Sequence, residues 1–357
     1  MMTDSSYPKV TFGIIVLNGE PFTPYCLRSL YPFAHEIIVV EGGNEDVHAV
    51  TTPDGHSIDG TLETLWRFKK EEDPENKVQI ITRNGFWPKK GGVGEWRTYQ
   101  SRAYAERATG DYLWQVDIDE FYQASDMEHL MRMLREDPSI TAVSFKTYTF
   151  WGREDIIVDS WPFGRGADVF HRLFKWGPGY TYLTHEPPTV LNEQGQDVRK
   201  IHWVQAKTLA KQGIYMFHQA LLFPWQVKQK TLVYQDERPE VAAGIVGWAE
   251  ANYFRLGNPY RVHNLFKDPS WLERYRGAHP QQVEKMMHDI RSKKIQADLR
   301  PMEDVDALLK TWRYRIGRLF LKVTGHFDRI WFKFTARIRR FLVLSYRFMQ
   351  RFLVRKN

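Results

Sequence analysis

Two hydrophobic periods alternate over the first 150 residues. Continuous apolar runs over 10–17 and 36–40 read as strands buried on both faces, and between them apolar positions return at three- and four-residue steps over 22–30, the period of a helix. A polar stretch over 44–57 interrupts the pattern. It resumes as a helix over 61–70 and a strand over 78–82, followed by a glycine-rich basic loop over 84–94. A helix over 103–108 is stopped by Thr109 and Gly110, and a strand over 112–116 follows. Next come a helix over 127–136, stopped by Asp137 and Pro138, and a strand over 140–149. Such alternation predicts an α/β fold with a mostly parallel sheet flanked by helices. The stretch 151–203, rich in Gly, Pro and aromatics, reads as short strands and loops, and helical patterns return from 224. The chain is expected to divide into a main α/β domain (1–235), a helical extension (236–310) and a helical tail (311–357).

Charge separates the tail from the rest. Residues 311–357 hold thirteen Lys and Arg against one acid, Asp328, a charge of +12, whereas residues 1–310 carry −5. Within the tail Val323, Phe327, Ile330, Trp331, Phe334, Ile338, Phe341, Leu342, Phe348 and Phe352 recur at helical steps with arginines between them. The longest uncharged stretch there, 341–346, is far below the ~20 residues that cross a bilayer. An amphipathic helix lying on an anionic membrane surface is expected; packing on the protein body and nucleic-acid binding are the other readings. The amino-terminal residues show no basic-then-apolar leader and Cys26 is a single cysteine, so a cytoplasmic location, at the inner face of the membrane, is expected.

The densest chemistry is Asp117, Ile118, Asp119, Glu120, a DxDE cluster delivered at the end of the strand over 112–116. Alternation would put Asp117 and Asp119 on one side of an extended chain. Two like charges that close need something positive between them. Hard oxygen ligands suit Mg²⁺ or Mn²⁺, commonly held by one or two carboxylates plus substrate phosphates, which points to a diphosphate-bearing substrate. An isolated DxD is more often a plain loop. Its place at the carboxyl end of a strand in an α/β segment, where open sheets bind ligands, favours the site reading.

Several blocks in order give a family likeness: Leu17, Asn18, Gly19, Glu20 after the first strand; Ile37 to Glu41; Asp59, Gly60, Thr61, Leu62, Glu63; and Ala108, Thr109, Gly110, Asp111, Tyr112 before Asp117 and Asp119. With these blocks the chain resembles the family 2 glycosyltransferases of the nucleotide-diphospho-sugar (GT-A) fold. Downstream, Arg172, Leu173, Phe174, then His185 and Glu186, and His218 with the 223–230 block are similar to segments of some bacterial members. The departures are Ser101 and Arg102 where Arg-Asn is common, Glu41 in place of aspartate, and an insertion before Asp59.

The resemblance implies a metal-dependent, inverting transfer of a sugar from a nucleotide-diphosphate donor to a lipid-linked or cell-surface glycan acceptor. It implies donor contacts at Asn18, Glu20, Glu41, Asp59, Arg102 and Asp117, and divalent metal ligation (Mn²⁺ or Mg²⁺) by Asp117 and Asp119. His218 is a further metal or diphosphate contact, or a structural histidine. Glu186 is the candidate base, since a carboxylate in an aromatic section can have its pKa raised; alternatively it orients the acceptor or pairs with an arginine. Glu120 is a second candidate base. Lys89, Lys90, Arg97 and Arg102 are candidate phosphate or acceptor contacts, and Trp87, Trp151 and Trp161 candidate sugar-stacking rings, although solvated faces and core packing are the commoner fates. The competing functions are a nucleotidyltransferase and a nucleic-acid-binding protein using the basic tail; no nucleic-acid partner is expected on the preferred reading.

Overall fold

A computed structural model describes residues 7–88, 95–160, 170–237, 239–263, 269–324 and 327. Lys89, Lys90, Trp161 and nearly all of the tail beyond 324 lie outside the described residues. The chain forms two compact units. One comprises Met1–Ile157, Asp168–Val246 and Arg274–Arg300; the other comprises Val158–Ala167, Gly247–Glu273 and Pro301–Asn357. Each is built from separated stretches, so 274–300, inside the expected helical extension, belongs to the first unit. A strand, Ser270–Arg274, also lies among the helices of that extension.

In chain order the strands up to residue 221 are β1 (Val10–Val16), β2 (Glu36–Glu41), β3 (Val78–Ile81), β4 (Tyr112–Asp117), β5 (Glu120–Phe121), β6 (Ala142–Phe145), β7 (Thr147–Trp151), β8 (Arg153–Ser160), β9 (Phe170–Lys175), β10 (Thr181–His185), β11 (Pro188–Leu191), β12 (Trp203–Val204) and β13 (Met216–Leu221). The main sheet of the first unit has the order β12-β6-β9-β4-β1-β2-β3. Only the pairings of β9 are antiparallel. The fold is therefore the expected mixed α/β class, a mostly parallel sheet flanked by helices. In a smaller sheet β13 runs between β7 and β5.

Unbroken apolar runs follow from coverage on both faces. Phe12, Ile14, Val39, Trp114 and Val116 join one core with Phe22, Cys26 and Leu27 of α1 (Phe22–Leu30). Ile38, Val40 and Leu113 join another with Ala103, Tyr104 and Ala105 of α3 (Glu95–Ala105); α2 (Thr61–Glu71) precedes α3 in the chain. Removing this much apolar surface from water is the main stabilising term.

Two expected elements are drawn differently. The helix expected over 103–108 begins at Glu95 and ends at Ala105, because Arg107 and Ala108 donate to the carbonyls of Tyr104 and Ala105 and tighten the chain into a turn. The strand expected over 140–149 is two strands in two sheets. Lys146 marks the crossing, its carbonyl accepting from Met216 N of β13 at 2.9 Å.

The Thr109, Gly110, Asp111 turn sets β4 beside β1. Thr109 donates its N–H and its hydroxyl to Glu36 Oε1 (2.6 and 2.9 Å), and Asp111 Oδ2 accepts from Lys9 N at 2.7 Å. Gly110 has no room for a side chain: an added Cβ would lie 2.8 Å from backbone atoms of both Lys9 and Thr11. Gly110→Ala is therefore expected to destabilise the fold by about 1–3 kcal/mol, read as a lower urea midpoint with an unchanged slope. A midpoint equal to wild type would show that the turn yields.

This register decides where the chemistry lies. β1 pairs in parallel with β2 on one side and with β4 on the other, so successive connections leave in opposite directions from a switch point between β1 and β4. Asp117, the last residue of β4, pairs with Ile15 there.

Candidate active site

Asp117 and Asp119 do not continue one strand. β4 ends at Asp117, residues 118–119 turn, and the chain re-enters extended structure as β5 at Glu120. A metal is expected between the two aspartates from the sequence; in the structure a cation of the chain also meets Asp117. Arg172, on β9, is 5% exposed; its Nη2 donates to Asp117 Oδ2 at 2.8 Å and also to Glu120 Oε1. Glu120, fully buried, accepts from Asp117 N through Oε2 at 3.1 Å. Burial, the largest single influence, works to raise the Asp117 pKa, but Arg172 together with His185 and His218 outweighs it and the carboxyl lies below its ordinary range. Burial pushes Glu120 up to about 7 against the pull of Arg172. Glu120 is closed in between Arg172 and a backbone amide, with no surface presented to solvent.

Asp119 faces a different set. β5 pairs antiparallel with β13, opposing His218 to Glu120, and Gln219 N donates to Asp119 O at 2.9 Å. His218 Nε2 lies 3.5 Å from Asp119 Oδ1, with Phe170 edge-on to its imidazole at 5.8 Å. The helix Pro224–Glu237 presents Gln226 and Lys230, four residues apart and so on one face. Gln226 Nε2 is 3.5 Å from Asp119 Oδ2. Lys230 donates to Ala220 O at 2.8 Å while its charge acts on both aspartates. Although burial opposes it, the attraction of His218, aided by Lys230, lowers Asp119 to about 2.

Among the described residues no three His, Cys, Asp or Glu side chains form a ready metal cage. Asp119 and His218 nevertheless supply a hard oxygen and an imidazole nitrogen side by side. An ion that arrives with a diphosphate needs few protein ligands, so this donor set fits Mn²⁺ better than Mg²⁺, which prefers oxygen donors throughout. Asp117 is engaged by Arg172 and so offers a less available donor oxygen than Asp119.

Glu186 follows β10. Its side chain is 60% exposed, so burial does not supply the desolvation that the sequence reading invoked, and Arg97 Nη1 lies 3.9 Å from its Oε2. Beside it His185 accepts from or donates to Ser101 Oγ through Nδ1 at 2.8 Å. Burial pushes this imidazole down to about 3, against the pull of Asp117, so the ring is neutral near pH 7. The Arg97 charge also disfavours the charged forms of His185 and Lys230.

The remaining expected donor residues are engaged in shaping loops. Asn18 donates through Nδ2 to Val50 O and accepts from Ile58 N, both at 2.7 Å. Glu41, fully buried, accepts from Ser57 N and meets His56 Nδ1, both at 2.7 Å. These bonds close the 44–57 insertion onto the sheet end. Asp59 accepts from Thr61 N at 3.0 Å and from Glu20 N at 2.9 Å. Burial raises the Glu20 carboxyl to about 7 beside Thr64, Asp59 and Thr23. Arg102 donates to the carbonyls of Tyr182 and Leu183 and so fixes β10. Among the described contacts, none joins these five residues to Asp117 or Asp119. Trp87 donates its indole N–H to Glu41 O, and Trp151 is fully buried, so both rings serve packing rather than stacking on a sugar.

Sequence reasoning passed over Arg172, Gln226 and Lys230 as site residues. A signal for Arg172 was present: an arginine inside the apolar strand Phe170–Lys175 has to find carboxylates.

No family model matches this chain, and no curated protein matches it in sequence. Solved structures of low similarity exist. The structure of S. aureus TarS 1–349 is 13% identical over 71% of this chain and 74% of that one, with a TM-score of 0.38. The same protein in complex with UDP-GlcNAc is 18% identical over 41% of this chain and 36% of that one (TM-score 0.30). Glucosyl-3-phosphoglycerate synthase from Mycobacterium tuberculosis, in complex with Mn²⁺, UDP and glucosyl-3-phosphoglycerate, is 19% identical over 41% and 45% of the two chains (TM-score 0.27). Likenesses this slight carry no argument about the chemistry of this chain.

Proposed function

We propose that the protein is a metal-assisted, inverting glycosyltransferase that moves a sugar from a nucleoside-diphosphate donor to a lipid-linked or cell-surface glycan. One observation carries the reading: a carboxylate, an imidazole and an ammonium, Asp119, His218 and Lys230, converge beside a strand end at the topological switch point of a mostly parallel sheet. That set suits a bound diphosphate better than it suits a structural ion pair.

On this reading the loops held by Asn18, Glu20, Glu41 and Asp59 border the donor nucleotide, and Asp119 and His218 hold a divalent ion. The ion, when bound, supplies Lewis-acid neutralisation of the leaving diphosphate. Lys230 adds a positive charge at the same place. Arg97 orients Glu186, which takes the proton of the acceptor hydroxyl as its oxygen bonds to the anomeric carbon and the bond from that carbon to the phosphate oxygen breaks. A single displacement inverts the anomeric centre.

Incubating the protein with UDP-, GDP- and ADP-sugars, with and without Mn²⁺, and following nucleoside diphosphate release tests the reading. Slow metal-dependent release from one donor is expected, with thermal stabilisation by that donor. Pyrophosphate release from a nucleoside triphosphate would instead make the protein a nucleotidyltransferase. Glu186→Gln is expected to lower transfer by about 10² with donor affinity unchanged; lost donor affinity would move Glu186 into the nucleotide site.

A further inference from the structure

The helix over 312–324, in the second unit, is mounted with its apolar side outward. Residues 314, 318 and 322, four apart, make its inward face. Tyr314 is buried, accepts from Leu272 N at 2.8 Å and donates to Pro259 O at 3.2 Å. Arg318 donates to Leu272 O at 3.0 Å, and Lys322 pairs with Glu273 at 2.5 Å. Trp312, Ile316, Leu319, Phe320 and Val323 are each between 56% and 70% exposed. At about 100° per residue they fall within a single stripe roughly 100° wide, on the side away from Tyr314. A surface helix ordinarily buries such a stripe. An aligned row of large apolar side chains in water marks an interaction surface.

We propose that this stripe docks on an anionic lipid bilayer, with the helix lying in the plane of the interface. Charge selects the occupant. The stripe is flanked by Arg313 and Arg315, and residues 311–357 carry +12, so anionic headgroups are attracted while a second copy of the same surface is repelled. Aromatic and leucine side chains between arginines suit the headgroup boundary. Among the described residues no helix is long and apolar enough to cross a membrane. In sequence, Phe327, Ile330, Phe334, Ile338 and Phe341 continue the same steps. This docking is independent of the transfer chemistry.

Flotation of the full-length protein with vesicles tests it, using phosphatidylcholine alone and phosphatidylcholine with roughly one-third phosphatidylglycerol. Preferential binding to the anionic vesicles by about tenfold or more is expected, weakened by high salt as the headgroup attraction is screened. Leu319→Asp/Phe320→Asp is expected to lower that binding at least about tenfold, with the thermal midpoint unchanged because both side chains are exposed. Failure of the wild type to bind anionic vesicles at low salt, or undiminished binding by the double variant, overturns the proposal. A dimer abolished by the same substitutions would make a second copy the occupant. Preferential binding of duplex DNA would make the tail a nucleic-acid arm.

Discussion

Asp119→Asn is expected to lower sugar transfer by about 10³-fold or more while leaving the protein folded. The change keeps the side chain's shape and removes its charge, at the position where His218 and Lys230 hold the carboxyl ionised to about pH 2. On the proposed reading, an ionised ligand at that position would fix where positive charge gathers against the leaving diphosphate. Removing one preorganised electrostatic group of this kind costs about 10²–10³ in turnover, and losing the proposed metal ligand would add to it. Donor-induced thermal stabilisation should lose its metal dependence in the variant. Donor binding in the absence of metal should survive, since the loops built on Asn18, Glu41 and Asp59 are untouched. A folded variant that transfers sugar at near wild-type rate would sink the assignment of Asp119.

The sheet was legible because its strands are covered on both faces. β1 is nearly all apolar, β2 holds four apolar residues between two glutamates, and a run such as Glu36 to Glu41 with every residue buried is the mark of a strand covered on both faces. What the sequence hid lies where the chain changes direction between layers. Period two continued through Asp117 and Asp119 suggested a shared face, but the turn at 118–119 sends the two acids to different partners, Arg172 and His218. Both partners come from strands more than 50 residues away, and no local pattern records such a pairing. The insertion over 44–57 was legible as polar. That it consumes the hydrogen-bonding capacity of Asn18 and Glu41 became visible only with its three-dimensional return onto the sheet end.

Arg172→Met tests the part of the site that the sequence concealed, and it is expected to cost about 3–5 kcal/mol of stability, the range for removing one partner of a buried ion pair. Methionine fills much of the volume, so the cost is electrostatic: Glu120, fully buried, and Asp117 are left without their cation. The pH dependence follows from Glu120. Its folded pKa, already about 7 with Arg172 present, rises further in the variant, while the unfolded value stays near 4.5. Between those values the folded state binds more protons than the unfolded, so the variant loses stability as pH rises through that window and is relatively best near pH 5. Adding Glu120→Gln should recover part of the loss at pH 8 and little at pH 5, a coupling measurable by urea unfolding of the four proteins of a double-mutant cycle. Equal losses at both pH values, with no coupling to Glu120, would mean that Arg172 contributes packing alone and that the charge of the cluster is balanced elsewhere.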